Sequence, residues 1–175
     1  MIDDDKVLDY EAATTIQVLD YTDPTQAWQI RRRTYIGARE VRFGEWMSDH
    51  QVRLFNRTHA QFNDRCVDEV VETSGGPLLT LQGSLHHYRF NDYADLLART
   101  VSQARARADD QAAVHQRVGW LVVLVRVAWG FVRSLVFRQG FRDGVTGVMV
   151  ASAIAIEGVL APVLIQERDG SDAGT

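Results

Sequence analysis

Three short stretches of this 175-residue chain carry the side-chain types that do acid–base or metal chemistry. The first is Asp3-Asp4-Asp5, three carboxylates followed closely by apolar Val7-Leu8. Clustered carboxylates can hold a hard divalent cation, which takes oxygen ligands and bridges phosphates. An acidic triplet also reads as a solvated segment, and only its place beside apolar residues and a capped helix favours chemistry. The second is Asp68-Glu69, set between Val67 and Val70-Val71. A carboxylate at a strand end can serve as a general base, and an alternating strand with outward acids is the plainer reading. The third is His86-His87-Tyr88. Adjacent strand residues face opposite sides, so at most one of the two histidines enters a site as metal ligand or acid–base group. Arg31, Arg32, Arg33, Arg53 and Arg57 add forked donors that suit phosphate, or that pair with nearby acids.

Several chemistries are excluded. There is no Gly-x-x-x-x-Gly-Lys loop, no Gly-x-Gly-x-x-Gly and no Gly-x-Ser-x-Gly. A net charge of −4 and a pI near 5.7 argue against a general nucleic-acid binder. The single cysteine, Cys66, excludes an internal disulfide and a multi-cysteine zinc site. The basic residues are 18 arginines and one lysine, Lys6. The opening Met-Ile-Asp-Asp-Asp has neither a basic n-region nor an apolar h-region, so no secretory signal is expected.

The elements that must position these residues follow from pattern. Met1–Asp5 reads as a strand end running into an acidic turn. Asp9 is the expected cap of a helix over Tyr10–Leu19, with Ala12, Ala13, Ile16 and Leu19 on one side. Asp23-Pro24 marks a turn, and Ala27–Tyr35 alternates as a strand. Ile36–Asp49 reads as a loop holding Glu45-Trp46-Met47. Gln51–Asn56 and Val67–Val71 read as strands. Gly75-Gly76-Pro77 breaks the chain, and Leu78–Leu81 and Ser84–Phe90 read as two short strands about Gly83. Asn91 is the expected cap of a helix over Asp92–Ala108, and Asp109-Asp110 is expected to interrupt or restart it. The texture is α/β over residues 1–92, a connecting helix over 93–118, apolar helices over 119–165 and a polar tail over 166–175.

The apolar region predicts membrane contact. Trp120–Phe137 is interrupted by Arg126 and Arg133, seven apart and hence on nearly one side of a helix. Trp120 and Trp129 are of the type that favours the headgroup zone. Val145–Ile165 has 21 residues whose one formal charge is Glu157. Its length of about 31 Å would cross a bilayer core. Glu157 near the middle would cost on the order of 3 kcal/mol there, so interfacial helices are preferred over a span. A pair of buried helices, or an oligomer interface, is the alternative.

Taken in order, these segments resemble the C-terminal two-thirds of a family 2 glycosyltransferase of the lipopolysaccharide-core type. Ile2-Asp3-Asp4-Asp5-Lys6-Val7 resembles the Asp-x-Asp-Glu turn of that family. Ile30-Arg31-Arg32-Arg33-Thr34-Tyr35-Ile36-Gly37 resembles its Arg-rich strand and Tyr-x-x-Gly loop. Trp46, with Asp49 to Arg57, resembles its Trp…Asp-x-x-x-Arg-Leu-Phe-x-Arg block. Cys66-Val67-Asp68-Glu69 resembles Val-His-Glu, and Leu85-His86-His87-Tyr88 resembles Leu-x-His-Tyr. Arg138-Gln139-Gly140-Phe141-Arg142-Asp143-Gly144 resembles the Gly-Phe-x-Asp-Gly turn before a last apolar segment.

The resemblance implies a GT-A fold and transfer of a sugar from a nucleotide-sugar to a saccharide or lipid-linked acceptor, with inversion, in cell-envelope synthesis. It implies a divalent metal, Mn²⁺ or Mg²⁺, at Asp3 and Asp5, with His87 as a further ligand or phosphate contact. It implies Glu69 as base, with Asp68 the alternative, and Arg31, Trp46, Asp49 and Arg53 as substrate contacts. Trp120, Arg126, Trp129 and Arg133 would meet the cytoplasmic face of the inner membrane, with the protein peripheral or monotopic. Two departures stand out: Lys6 replaces the family's Glu, and Asp68 replaces His. In the family the nucleotide-binding third precedes the Asp-x-Asp turn. The expectation is a truncated enzyme, an upstream half, or a complementing chain or second copy, and no nucleic-acid partner. The other reading is a non-catalytic, membrane-associated remnant with a scaffolding role.

Overall fold

The computed structural model describes residues 4–47, 49–63, 71–73, 75–111 and 119–172, and these divide into a sheet unit and a helical unit. The sheet unit contains β1 (Lys6–Leu8), α1 (Tyr10–Val18), β2 (Ala27–Ile36), β3 (Arg39–Val41), β4 (His50–Phe55), β5 (Ala60–Phe62), β6 (Val71–Thr73) and β7 (Leu78–Phe90), with the last residues of β3 and β7 passing into the helical unit.

β2 and β7 are neighbours at the centre of the sheet. They run parallel, because contacts rise together along both. The Ala27 N–H donates to the Pro77 carbonyl (3.1 Å), Gln29 Nε2 to Thr80 Oγ1 (3.0 Å), and further on the Tyr35 hydroxyl meets His86 Nδ1 (2.8 Å). β1 flanks β7 in antiparallel register, with Lys6 opposite His87 and Leu8 opposite Leu85. β4 flanks β2, also antiparallel, and β3 pairs with β2 as well. The sheet is therefore mixed. β5 and β6 form a separate antiparallel pair, with Phe62 opposite Val71.

Alternation decides which face is covered. Trp28 and Ile30 of β2 and Leu81 and Leu85 of β7 point to one side, and α1 lays Ala12 and Ile16 over them. Fully burying a side chain such as Ile30 or Leu85 contributes about 2 kcal/mol each. Asp9 caps α1 as expected, its Oδ1 accepting the Ala12 N–H at 2.8 Å. Beneath this cap lies Gly83, with φ +88°. A Cβ there would stand 2.4 Å from Ala12 N and 2.5 Å from Asp9 Oδ1, so only glycine lets the helix start seat on the strand.

Several expectations are corrected. β7 is one strand running through Gly83, because the left-handed residue makes room for α1 while the flanking ladders hold. The strand end expected ahead of the acidic turn falls on residues 1–3, outside the described residues, and the first described strand, Lys6–Leu8, follows the turn and pairs with β7. The stretch expected as a loop from Ile36 holds β3 and a 3₁₀ turn at Gly44–Trp46. Of the strand expected over Val67–Val71, only Val71 lies within the described residues.

The helical unit contains residues 41–47 and the chain from Phe90 on, with α2 (Tyr93–Gln111), α3 (Trp120–Val132) and α4 (Val145–Asp172). The cap of α2 is Asp92 rather than Asn91. Asp92 Oδ1 accepts the Asp95 N–H (2.8 Å), and Asp95 Oδ2 reaches back to accept the N–H of Asn91, the residue before the cap (3.0 Å). That backbone donor and Arg99 hold the Asp95 carboxyl below its usual range. α2 continues through Asp109-Asp110, because Leu96, Thr100, Ala104 and Ala108 form a buried stripe while Asp109 stays exposed. It runs parallel to α4, which it packs against: the hydroxyls of Tyr93 and Thr146 meet at 2.8 Å, and Arg107 pairs with Glu157 at 3.0 Å.

α3 is antiparallel to α4. A Cβ on Gly130 would lie 3.6 Å from Ile154, and one on Gly158 would lie 3.3 Å from Val127. Between the helices come a π turn, Arg133–Phe137, and a 3₁₀ turn, Gly140–Asp143. A Cβ on Gly147 would overlap the Gly140 carbonyl at 1.8 Å, so this hairpin closes on bare backbone. Residues 41–47 clasp it. Asp143 Oδ2 accepts the N–H groups of Arg42 (2.9 Å) and Phe43 (2.8 Å), and the Gly44 N–H donates to the Arg138 carbonyl (2.9 Å). α4 itself runs on into the stretch expected as a polar tail.

Candidate functional site

Past the apolar patch under α1, the same face of the sheet turns polar. On β2 the residue two beyond Ile30 is Arg32; on β7 the residue two beyond Leu85 is His87; on β1 Lys6 stands opposite His87. Because β2 and β7 are parallel, these positions lie toward the carboxyl ends of both strands. That is where open α/β sheets place ligands.

His87 is 4% exposed, with Nε2 3.1 Å from Asp5 Oδ2. Burial pushes its pKa down to about 4, and Arg32 adds to the fall; Asp5 opposes it, while Lys6 and Arg89 reinforce it. The ring is therefore neutral at pH 7. A neutral imidazole meets a carboxylate through its N–H, so Nε2 carries the proton and Nδ1 presents a lone pair. That buried Nδ1 has no hydrogen-bond partner among the described residues, and neither does Asp5 Oδ1, from which Lys6 Nζ lies 3.7 Å away. With Nε2 turned to Asp5, Nδ1 looks to the far side of the ring, so these two donor-less acceptors offer two separate places for a donor or cation rather than one shared ligand set. Among the described residues, no three His, Cys, Asp or Glu side chains converge on one point. Asp3 lies outside the described residues.

Asp49 holds Arg32 in place. Arg32 Nε donates to Asp49 Oδ2 at 2.5 Å, its Nη2 engages the same oxygen, and the Arg32 N–H donates to the Asp49 carbonyl at 2.8 Å. Arg32 thus joins the cluster with its direction set by a carboxylate. By residue type alone Arg32 is indistinguishable from Arg31 and Arg33, and Lys6 is only a departure from the family pattern. The signal available was alternation from Ile30, which puts Arg32 on the covered face and Arg31 on the other.

The remaining predicted residues are dispersed. Arg31 is exposed and stands opposite His50 in the β2–β4 register. Arg53 bonds the Gln51 side chain and reaches the Val52 carbonyl at 3.4 Å. Trp46 belongs to the helical unit, where it stacks on Phe90 with ring centroids 5.7 Å apart. Asp68 and Glu69 lie outside the described residues. His86 takes the opposite face to His87, as expected of adjacent residues, and joins Tyr35 and Tyr88; the two tyrosine rings stack at 4.7 Å.

In the helical unit, Trp120–Phe137 and Val145–Glu167 are each long and apolar enough to cross a membrane. Trp120, Arg126 and Trp129 are exposed. Arg133 is engaged by Glu45 at 2.6 Å, and Arg138 reaches the other oxygen of that carboxylate at 3.7 Å. Glu157, read from sequence as an isolated charge, is paired with Arg107. The chain matches no protein-family model and no solved structure.

Proposed function

We propose that the sheet unit is the metal- and acceptor-binding half of an inverting glycosyltransferase of GT-A type, acting in cell-envelope saccharide synthesis at the cytoplasmic face of a membrane. The observation that carries this reading is the Asp5–His87 pair, with its two donor-less acceptors, beside Arg32 and Lys6 at the carboxyl ends of parallel strands. Asp3 and Asp5 would hold Mn²⁺ or Mg²⁺, with His87 a further ligand or a phosphate contact, and the ion would offset the charge of a departing nucleoside diphosphate. Arg32, oriented by Asp49, has N–H donors left over for a phosphate oxygen. Glu69 takes the acceptor hydroxyl proton as the new C–O bond forms and the bond to phosphate breaks, with Asp68 the alternative base. A complementing chain or an upstream segment would supply the contacts to base and ribose.

The test is titration calorimetry with Mn²⁺ and uridine or guanosine diphosphate. Diphosphate binding that requires Mn²⁺ and disappears in Asp5→Ala is the expected result. Equal binding by Asp5→Ala and wild type sinks the assignment. A second reading, a membrane-associated scaffold without catalysis, is favoured by Lys6, whose ammonium beside Asp5 competes with a metal for the same oxygen. Absence of any diphosphate binding, with Mn²⁺ or without, points there.

A further inference from the structure

Among the described residues, α3 is exposed along most of its length, with Trp120, Val122 and Leu124 in the open. α3 meets α4 through Val127 and Gly130, and its opposite side carries Leu121, Val125, Trp129, Val132 and Val136 at steps of three and four. These are not marginal exposures: Val125 is 67% exposed and Leu121 61%. Arg126 borders the stripe and is exposed.

The packing of α2 restricts how this face can meet lipid. α2 lies alongside the first three turns of α4, from Thr146 to Glu157, and presents Arg99, Arg105 and Asp109 on its exposed side. A membrane-spanning α4 would draw those charges into hydrocarbon with it. Beyond Glu157 the apolar part of α4 is Gly158–Ile165, about 12 Å of helix and less than half a bilayer core, before Gln166 and Glu167. α3 is tied antiparallel to α4 and shares the restriction. Charge selects the lipid. Of the arginines in residues 99–142, Arg99 pairs with Asp95, Arg107 with Glu157, and Arg133 and Arg138 with Glu45, so the exposed Arg126 beside the stripe is the cation that suits an anionic surface.

We infer that the helical unit binds an anionic bilayer from one side, with α3 lying in the membrane plane and its Leu121–Val136 stripe sunk to the upper acyl chains. Arg126 reaches lipid phosphates from the edge of the stripe. This rests on the membrane reading above and is independent of glycosyl transfer.

The test uses the full chain with Cys66→Ser and one added cysteine, Leu121→Cys, Val125→Cys, Val132→Cys or Val136→Cys, each carrying an environment-sensitive fluorophore. The protein is bound to mixed phosphatidylcholine–phosphatidylglycerol vesicles with quenchers at a shallow or a deep acyl position. All four labels are expected at one shallow depth. A graded depth that is greatest near the middle of the helix establishes a span and overturns the in-plane arrangement. Val125→Asp is expected to weaken vesicle flotation at least tenfold, and Arg126→Gln to weaken it severalfold on anionic vesicles alone. Failure of the unlabelled protein to float removes the membrane reading itself, whatever the diphosphate titration shows. A soluble dimer dispersed by Val125→Asp, with no flotation, assigns the face to a second copy instead.

Discussion

The sheet unit draws charged and polar groups under cover, whereas the helical unit leaves apolar groups in the open. His87, Thr34 and Ser84 are buried on central strands, while Trp120, Val125 and Phe137 stand more than half exposed in the helical unit. Each arrangement costs free energy in isolation. A buried acceptor without a donor forfeits about 1–3 kcal/mol, and a large apolar side chain left in water forgoes about 2 kcal/mol of burial. The costs differ in kind: unmet hydrogen-bonding capacity in the sheet, unburied apolar area on α3. The two units also close differently. The sheet unit seats a helix cap on Gly83, and the helical unit closes its hairpin on Gly147.

The sharpest way to break this comparison is at Gly83. Gly83→Val forces a branched side chain into a left-handed φ and into the Asp9–Ala12 cap, and is expected to destabilise the sheet unit on the order of 4 kcal/mol. Amide exchange should rise sharply along β7 and α1. Protection along α4 should persist if the units are energetically separate, and its loss would show that they fold as one.

Next in size is the pH response of His87. The unfolded histidine, with its ordinary pKa of 6.5, takes up a proton that the folded residue, held near 4, refuses. Its contribution is therefore full above about pH 6.5 and is lost as pH falls toward 4, on the order of 3 kcal/mol in metal-free buffer. Urea midpoints measured across that window should drop for wild type and much less for His87→Gln. Parallel curves for the two proteins would mean that another group governs the acid limb.

A smaller effect separates the charge burial in the helical unit from that in the sheet. Glu157→Gln removes one member of a half-buried pair and is expected to cost about 1–2 kcal/mol, less than a deeply buried pair would. Arg107→Met with Glu157→Leu together should restore most of that loss. Failure of the double variant to recover would mean that the pair also sets the seating of α2 on α4. The smallest change is Asp9→Ala, about 1 kcal/mol from one unsatisfied N–H at the start of α1, read as a shift in the thermal midpoint.

Much of the local structure was legible from residue order. Asp9 followed by spaced apolar residues announced α1, and Trp28 and Ile30 alternating with Gln29 and Arg31 announced β2. The pairing of opposite faces by His86 and His87 also followed from strand geometry alone. The site was legible only in pieces. Asp5 and His87 stand 82 residues apart in sequence, and nothing in either segment states that Lys6 pairs with His87 in register. Arg32 was visible as an arginine and not as a member of the cluster, because its meaning depends on Asp49 across β4. Glu157 looked costly in sequence because its partner, Arg107, lies on another helix 50 residues earlier.

The division of labour follows the range of the forces. Helix caps, alternation, the apolar run from Trp120 and the acidic turn depend on neighbours within a few residues, so the chain determines them by itself. The parallel pairing of β2 with β7, the clasp of residues 41–47 on the hairpin turn and the seating of α2 along α4 depend on groups brought together from distant positions. Their hydrogen bonds and buried stripes exist only after loop entropy has been overcome. For that reason the tertiary structure alone decided which carboxylate meets which histidine, and which side of α3 was left exposed.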